Sequence, residues 1–430
     1  MRQEPGVRAD VERLEFYQAH ATEVLLPFWT DRALDERNGG VYTCFNNTGD
    51  TLVSTDKYTW SQGRFLWILS RLAALCSEGA LEGNVEGYLT HAGKTARFLQ
   101  DHAILENGNC AFLLSETGEP VESVAGQGLD TSFYADCFVV LGFSEFARVT
   151  SDTAALDFAL TVYDRIEQRL TSGDLRSEPY PVPAGYRSHS IPMIMLNVSQ
   201  ELFNSLESFD HWRTPEFRGR ELGYAATIMS EFRLQDGTVM EMLPDDREVQ
   251  DTVLARHVNP GHTLESMWFV LSGADEDRYS VAWDVRETIR ETFALGWDNE
   301  YGGFLRFVDR KGGRPRGEEI GDQYERLILD TWDMKLWWPH AEALYATLLA
   351  SELTQDEDLR ALYEKTHEYT FRTFPNPNAE VGEWVQIRDR RGRPVEKLVA
   401  LPVKDPYHIL RSVLLIIELL SRKLRKNGFA

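Results

Sequence analysis

Two short segments of this 430-residue chain share a pattern suited to proton transfer. Asn259-Pro260-Gly261-His262 and Asp405-Pro406-Tyr407-His408 each read as a helix N-cap, a proline at the first helical position and a histidine at the third. There the positive end of the helix dipole disfavours an imidazolium, so each ring is expected to be neutral at pH 7 and usable as a general base. Glu265 follows His262 by three residues and shares its helix face. It is expected to orient the ring or to carry a second proton.

A second pair of segments links the two halves of the chain. Lys57-Tyr-Thr-Trp60-Ser-Gln-Gly-Arg64 and Lys335-Leu-Trp-Trp338-Pro-His-Ala-Glu342 both read Lys-x-x-Trp with a charge four residues on. That spacing sets each tryptophan and its charge on one helix face, an aromatic platform beside a guanidinium or a carboxylate. Such a platform suits a sugar. Arg64, permanently charged, could stabilise a developing enolate oxygen; the plainer reading makes it half of a buried ion pair. His189 lies in the loop Tyr186-Arg-Ser-His189-Ser-Ile-Pro192 and could line the same face. His340 and Glu342 are two residues apart and diverge on a helix, so no metal site is expected there, and no HExxH, Walker or G-x-S-x-G pattern occurs. Gly39-Gly40 and Gly302-Gly303 read as hairpin entries.

These residues must be held by a repeat. Strand-and-turn signals recur at 41–53, 110–121, 304–315 and 384–395, with a weaker copy at Val239-Met-Glu-Met-Leu-Pro244. With one further copy near Ser172-Gly-Asp-Leu175, the period is roughly 70 residues, enough for one hairpin and two helices. Between the hairpins the spacing is helical, as in Leu156, Leu160, Tyr163, Ile166 and Leu170, and in Leu344, Leu348 and Leu349 after Pro339. Six such units stacked in a closed ring predict an all-α (α/α)6 barrel, a toroid with its short hairpins on one face. No linker interrupts the chain, so residues 1–430 are expected to form a single domain.

Charge narrows the partners. Forty-five Lys and Arg against 68 Asp and Glu give a net charge of -23, which argues against a nucleic-acid backbone or a sugar phosphate. No apolar run is long enough for a membrane span, and the N-terminus lacks an apolar signal region. Four cysteines without a CxxC pair suggest reduced packing residues in a cytoplasmic protein.

In order and spacing, several motifs together resemble the N-acylglucosamine 2-epimerase family, which includes cellobiose 2-epimerases and aldose-ketose isomerases. They run from Asn38-Gly-Gly-Val-Tyr42 and Asp56-Lys-Tyr-Thr-Trp-Ser-Gln-Gly-Arg64 through Phe133-Tyr-Ala-Asp136-Cys-Phe138 and Ile191-Pro-Met-Ile-Met-Leu196. Pro260-Gly-His262-Thr-Leu-Glu265, Trp337-Trp-Pro-His-Ala-Glu342 and Tyr407-His408-Ile-Leu-Arg411 complete the set. The resemblance implies an (α/α)6 barrel and reversible epimerisation or isomerisation at C2 of a reducing sugar, through ring opening and an enediolate. It assigns His262 and His408 as the acid/base pair, Glu265 as partner carboxylate and Arg64 as the enolate-side arginine. Trp60, Trp338 and Glu342 become pocket residues. It implies no required cofactor and no metal, with ATP as an effector only. The partners implied are a small sugar and at most a second copy of the chain. Pro192-Met-Ile-Met195 favours the N-acylhexosamine branch over the isomerase and cellobiose branches, whereas Leu401-Pro-Val-Lys404 departs from it. An (α/α)6 glycoside hydrolase is the competing expectation; it needs a carboxylate pair, for which Asp136 and Asp333 are candidates.

Overall fold

The computed structural model describes residues 5–246, 248–273 and 278–428. It is dominated by helices, with short antiparallel strand pairs between them. Among the described residues no helix is long and apolar enough to cross a membrane. The chain gathers into two compact units.

The first unit comprises Met1–Asp174, Pro375–Trp384 and Val403–Ala430. Its centre is the contact between helices Thr59–Ser77 and Phe133–Thr150. Glycine allows it. A methyl at Gly63 would overlap the carbonyl of Phe138, and one at Gly142 would overlap the carbonyl of Gly63. Arg64, next to Gly63, is therefore carried onto the Phe138 side chain. Each of the two helices is followed by a return helix with a side-chain cap. Asn84 accepts from the Gly87 amide ahead of Val85–His102, and Asp152 from the amides of Ala154 and Ala155 ahead of Thr153–Ser172. The expected periodic face of that last helix is buried at Leu156, Leu160, Tyr163 and Ile166. The C-terminal helix Tyr407–Lys426 packs on Thr59–Ser77 and on Pro5–Ala19.

The second unit comprises Leu175–Phe374 and Val385–Pro402. Ser190–Ser208 pairs with Thr214–Thr227, Pro260–Ser272 with Arg278–Gly296 and Trp337–Thr354, and Trp337–Thr354 with Glu357–Thr373. Leu344, Leu348 and Leu349 are buried, but the helix starts at Trp337, ahead of Pro339.

The hairpin expectations held unevenly. Leu113–Leu114 pairs with Pro120–Val121, and single bridges close 41–53 at Phe45 and Leu52 and 384–395 at Arg388 and Pro394. The segment 304–315 does not close on itself. Its turn forms at Asp309–Gly313, yet Val308–Asp309 pairs with His257–Val258 instead. The copy near 172–175 is a helix end, with Gly173 in the left-handed region; the strand that pairs with Met242–Pro244 is Tyr186–Ser188.

Both Lys-x-x-Trp segments start with a buried lysine that ties a glycine turn to the following helix. Lys57 Nζ donates to Asp35 Oδ2 at 2.7 Å and to the carbonyl of Gly39 at 2.8 Å. Lys335 Nζ donates to Asp298 Oδ2 and to the carbonyl of Gly303, both at 3.1 Å. The glycines have φ between +73° and +83°, which suits residues without a Cβ. The glycine pairs thus enter turns, as expected, and each turn is fastened by a buried ion pair.

Candidate functional site

In the second unit, strand register builds the site. Ser188 pairs with Met242, so the next residue on one strand and the preceding one on the other, His189 and Glu241, lie side by side. The His189 amide donates to the Glu241 carbonyl at 2.9 Å. Helix Pro260–Ser272 begins as expected, with Asn259 as N-cap, its side chain accepting from the His262 amide, and Pro260 at the first position. His262 Nδ1 lies 2.9 Å from Glu241 Oε1. The Trp338 ring leans on His262, with centroids 5.2 Å apart. A methyl at Gly261 would collide with the Trp338 ring, so the glycine fixes that approach.

Burial alone would push the His262 pKa down. The charge of Glu241 and its hydrogen bond outweigh that, and the pKa is raised. The direction is opposite to that expected from the helix dipole, because a buried carboxylate at hydrogen-bond distance exceeds a half-charge at a helix end. Burial would raise the Glu241 pKa, but the neighbouring imidazoles of His262 and His189 hold it well below the usual carboxylate range. Glu241 is therefore an acceptor only, and His262 Nδ1 must carry the proton of their bond. In the neutral ring the lone pair is then on Nε2. A quarter of the His262 side chain is exposed, against 3% for Glu241.

Glu265 is buried, and its charge adds to that of Glu241 in raising the His262 pKa. The carboxylate that accepts from the His262 ring and orients it is Glu241, not Glu265. Glu342 is fully buried and accepts from Trp268 Nε1 at 2.7 Å. His189 is buried, neither of its ring nitrogens makes a hydrogen bond, and its Nδ1 stands 3.8 Å from Glu241 Oε2. One ligand atom each from His189, Glu241 and His262 lies within 4.8 Å of the others. Sequence spacing revealed no such cluster, since the three residues come from three elements.

In the first unit, Trp60 and Arg64 share a helix face as expected. The Arg64 guanidinium lies 4.4 Å from the Trp60 ring centroid and 4.0 Å from that of Phe138. Its Nη1 is 3.3 Å from Asp405 Oδ2. Asp405 also approaches His408, Oδ2 to Nε2 at 3.6 Å, and Arg411 Nη2 sits 3.4 Å from His408 Nδ1. A guanidinium only donates, so Nδ1 of His408 is the acceptor and the neutral ring carries its proton on Nε2. The helix here starts one residue later than expected. Pro406 is the N-cap residue, and the Asp405 side chain accepts from the Tyr407 amide at 3.1 Å. His408 is thus the second helical residue. Asp136, the hydrolase candidate, is fully buried against Arg169 at 2.8 Å and accepts from the Cys110 amide; burial pushes its carboxyl up to about 6. That is a structural ion pair.

Glu241, Asp405 and Arg411 are the partners that motif spacing did not single out. For Glu241 a signal existed: an acid inside the apolar run Val239-Met-Glu-Met-Leu needs a buried partner.

A family model described as N-acylglucosamine 2-epimerase (GlcNAc 2-epimerase) matches residues 40–412. The N-acylglucosamine 2-epimerase of Bos taurus is 30% identical over 419 residues, covering 95% of this chain and 91% of that protein. A cellobiose 2-epimerase of Dictyoglomus turgidum is 28% identical, covering 93% of this chain and 96% of its own. The solved cellobiose 2-epimerase of Spirochaeta thermophila matches with a TM-score of 0.75 at 18% identity, over 99% of this chain and 100% of that one. The structural likeness gives the fold class expected from the repeat, the (α/α)6 barrel.

Proposed function

Because this chain belongs to the N-acylglucosamine 2-epimerase family, we propose that it inverts C2 of a free reducing sugar without a redox cofactor or a required metal. The substrate proposed is an N-acylhexosamine, or less favoured a plain hexose. The observation that carries the reading is the 2.9 Å bond between His262 Nδ1 and Glu241. It leaves Nε2 as the basic nitrogen beside the Trp338 ring and strengthens that nitrogen as a proton acceptor. In the open-chain aldehyde the C2 proton is acidic, and its removal gives an enolate, which is an enediolate only where C2 carries a hydroxyl. Inversion requires the new proton to arrive on the opposite face, so a second carrier is needed.

The two histidines are suited to opposite halves of that exchange. Inversion needs one histidine as neutral base and the other as imidazolium acid. In one direction neutral His262 takes the C2 proton at Nε2 and becomes an imidazolium, while His408, entering as the imidazolium, delivers a ring proton and becomes neutral; the reverse direction starts from that state with the roles exchanged. Arg64 is proposed to stabilise the developing enolate through its fixed charge. Trp60, Trp338, Glu342 and His189 are proposed to shape the sugar site, and Glu265 to add to the charge that sets His262.

We propose further that the protein works in the cytoplasm, alone or as a homodimer, without nucleic acid, and that ATP acts at most as an effector. Four free cysteines, three of them buried, support a reducing compartment. Incubation with a panel of free sugars in D2O, followed by NMR at C2, tests the reading. A C2 epimer formed in the presence of EDTA is expected. A ketose as the sole product, or a phosphosugar turned over better than its neutral parent, would refute it.

A further inference from the structure

We propose that His189, Glu241 and His262 form a binding site for one divalent transition cation of the zinc class, and that its occupancy blocks proton transfer by His262. The inhibitory half rests on the role proposed for His262; the site itself does not. Two imidazoles and a carboxylate are the donor set that zinc accepts with a fourth position left open. Ligand atoms about 2.0–2.2 Å from a tetrahedral ion stand roughly 3.3–3.5 Å apart. Here Glu241 Oε1 and His262 Nδ1 are 2.9 Å apart, and His189 Nδ1 and Glu241 Oε2 are 3.8 Å apart. The two histidine–carboxylate separations bracket that value, and one ligand atom from each of the three residues lies within 4.8 Å of the others, so side-chain adjustment can close the triad around an ion.

His189 is the second, independent observation. It is buried, both its ring nitrogens lack a hydrogen bond, and one faces Glu241. Native proteins rarely leave a buried imidazole so, and a ligand at that nitrogen accounts for it. Glu241 brings the negative charge, and the exposed quarter of the His262 side chain gives an entry path.

The consequence for catalysis follows from the tautomer. A cation on Nδ1 of neutral His262 needs the lone pair there, so the ring proton moves from Nδ1 to Nε2. No proton is lost overall, and none can then be accepted at Nε2. The bound ion removes the base by holding it in the wrong tautomer.

The test uses chelator-treated, full-length protein and two probes, Zn2+ followed by calorimetry and Co2+ followed by visible absorption. One Co2+ per chain with the intense bands of a tetrahedral N/O site, displaced by Zn2+, is expected. His189→Asn and Glu241→Gln, each checked for folding by circular dichroism, should each weaken binding by at least ~10–100-fold, the loss seen when groups that merely orient a ligand are removed. Co2+ occupancy should track the loss of epimerisation, and EDTA should restore it. A wild-type Kd weaker than about 1 mM, or affinity unchanged in both variants, would overturn the site. Binding that disappears in the variants while the occupied wild type turns over at full rate would overturn the inhibitory half and the assignment of His262 with it. If no sugar is turned over, the calorimetric and absorption readouts still decide the site.

Discussion

The segments that begin at Lys57 and Lys335 agree in their first half and part in their second. Each lysine is fully buried, each grips an aspartate, and each holds a left-handed glycine turn by its carbonyl. Beyond the lysine, Trp60 lies with Arg64, which shares Asp405 with His408, whereas Trp338 leans on His262 and Glu342 accepts from Trp268. The shared half is scaffold and the divergent half is chemistry. A repeat can keep its fastening while each copy acquires a different polar partner, because the lysine bonds inward and the charge seven residues on does not contribute to the fastening.

The largest expected effects lie in the divergent halves. His262→Ala and His408→Ala should each lower kcat by ~10²–10⁴-fold, the usual worth of a general acid or base. Arg64→Ala should cost ~10²–10³-fold, the loss typical of one charge-stabilising donor. Steady-state kinetics with unchanged circular dichroism checks all three. Near wild-type rates in both histidine variants would remove the site from these helices.

The shared halves should answer with stability instead. Lys57→Met leaves Asp35 buried without its charged partner, and breaking such a pair typically costs about 3–5 kcal/mol. Lys335→Met should cost less, because Arg390 donates to both oxygens of Asp298 and remains after the substitution. Denaturant melts measure the difference. Equal losses would show that Arg390 contributes nothing to Asp298.

Two glycines sharpen the contrast at smaller scale. Gly63→Ala pushes a methyl into the Phe138 backbone, and Gly261→Ala pushes one into the Trp338 side chain. Overpacking typically costs about 1–3 kcal/mol, and the backbone clash should lie at the upper end. Gly261→Ala should instead show in KM and kcat, since Trp338 can turn away from His262. A Gly261→Ala enzyme with normal kinetics would separate Trp338 from the site.

The smallest effect is a shift in pH dependence. His262 acts as a base when neutral, and its pKa is raised, so kcat/KM measured with chelator present should fall, as pH drops, already above the ordinary imidazole value. Glu241→Gln removes the raising charge and should move that limb to lower pH. The same pairing contributes stability that is full below the unfolded imidazole pKa and is lost as pH rises through the folded one. A limb that stays in place in Glu241→Gln would mean another group sets it.

Local pattern carried far in this sequence, and long-range pairing did not. Asn259 and Pro260 announced their helix, and the i, i+4 rule placed Trp60 with Arg64. The family motifs led to His262, His408 and Glu265. Glu241 stayed hidden because its bond to His262 comes from a strand edge 21 residues away, and helix spacing points to Glu265 instead. The direction of the pull on the His262 ring was misjudged for the same reason, since the dipole is local and the carboxylate is not. Asp405 was legible as a cap but not as the carboxylate beside Arg64, and Val308 as a strand residue but not as the partner of Val258.

The central claim, that His262 and His408 are separate proton carriers, is tested most directly by isotope exchange. Each epimer of the turned-over sugar is incubated in D2O with His262→Asn and with His408→Asn, and C2–H is followed by NMR. Each variant is predicted to wash deuterium into C2 of one epimer, the opposite one in the two variants, while failing to interconvert the pair. Exchange of both epimers by a single variant, or interconversion without either histidine, would contradict it.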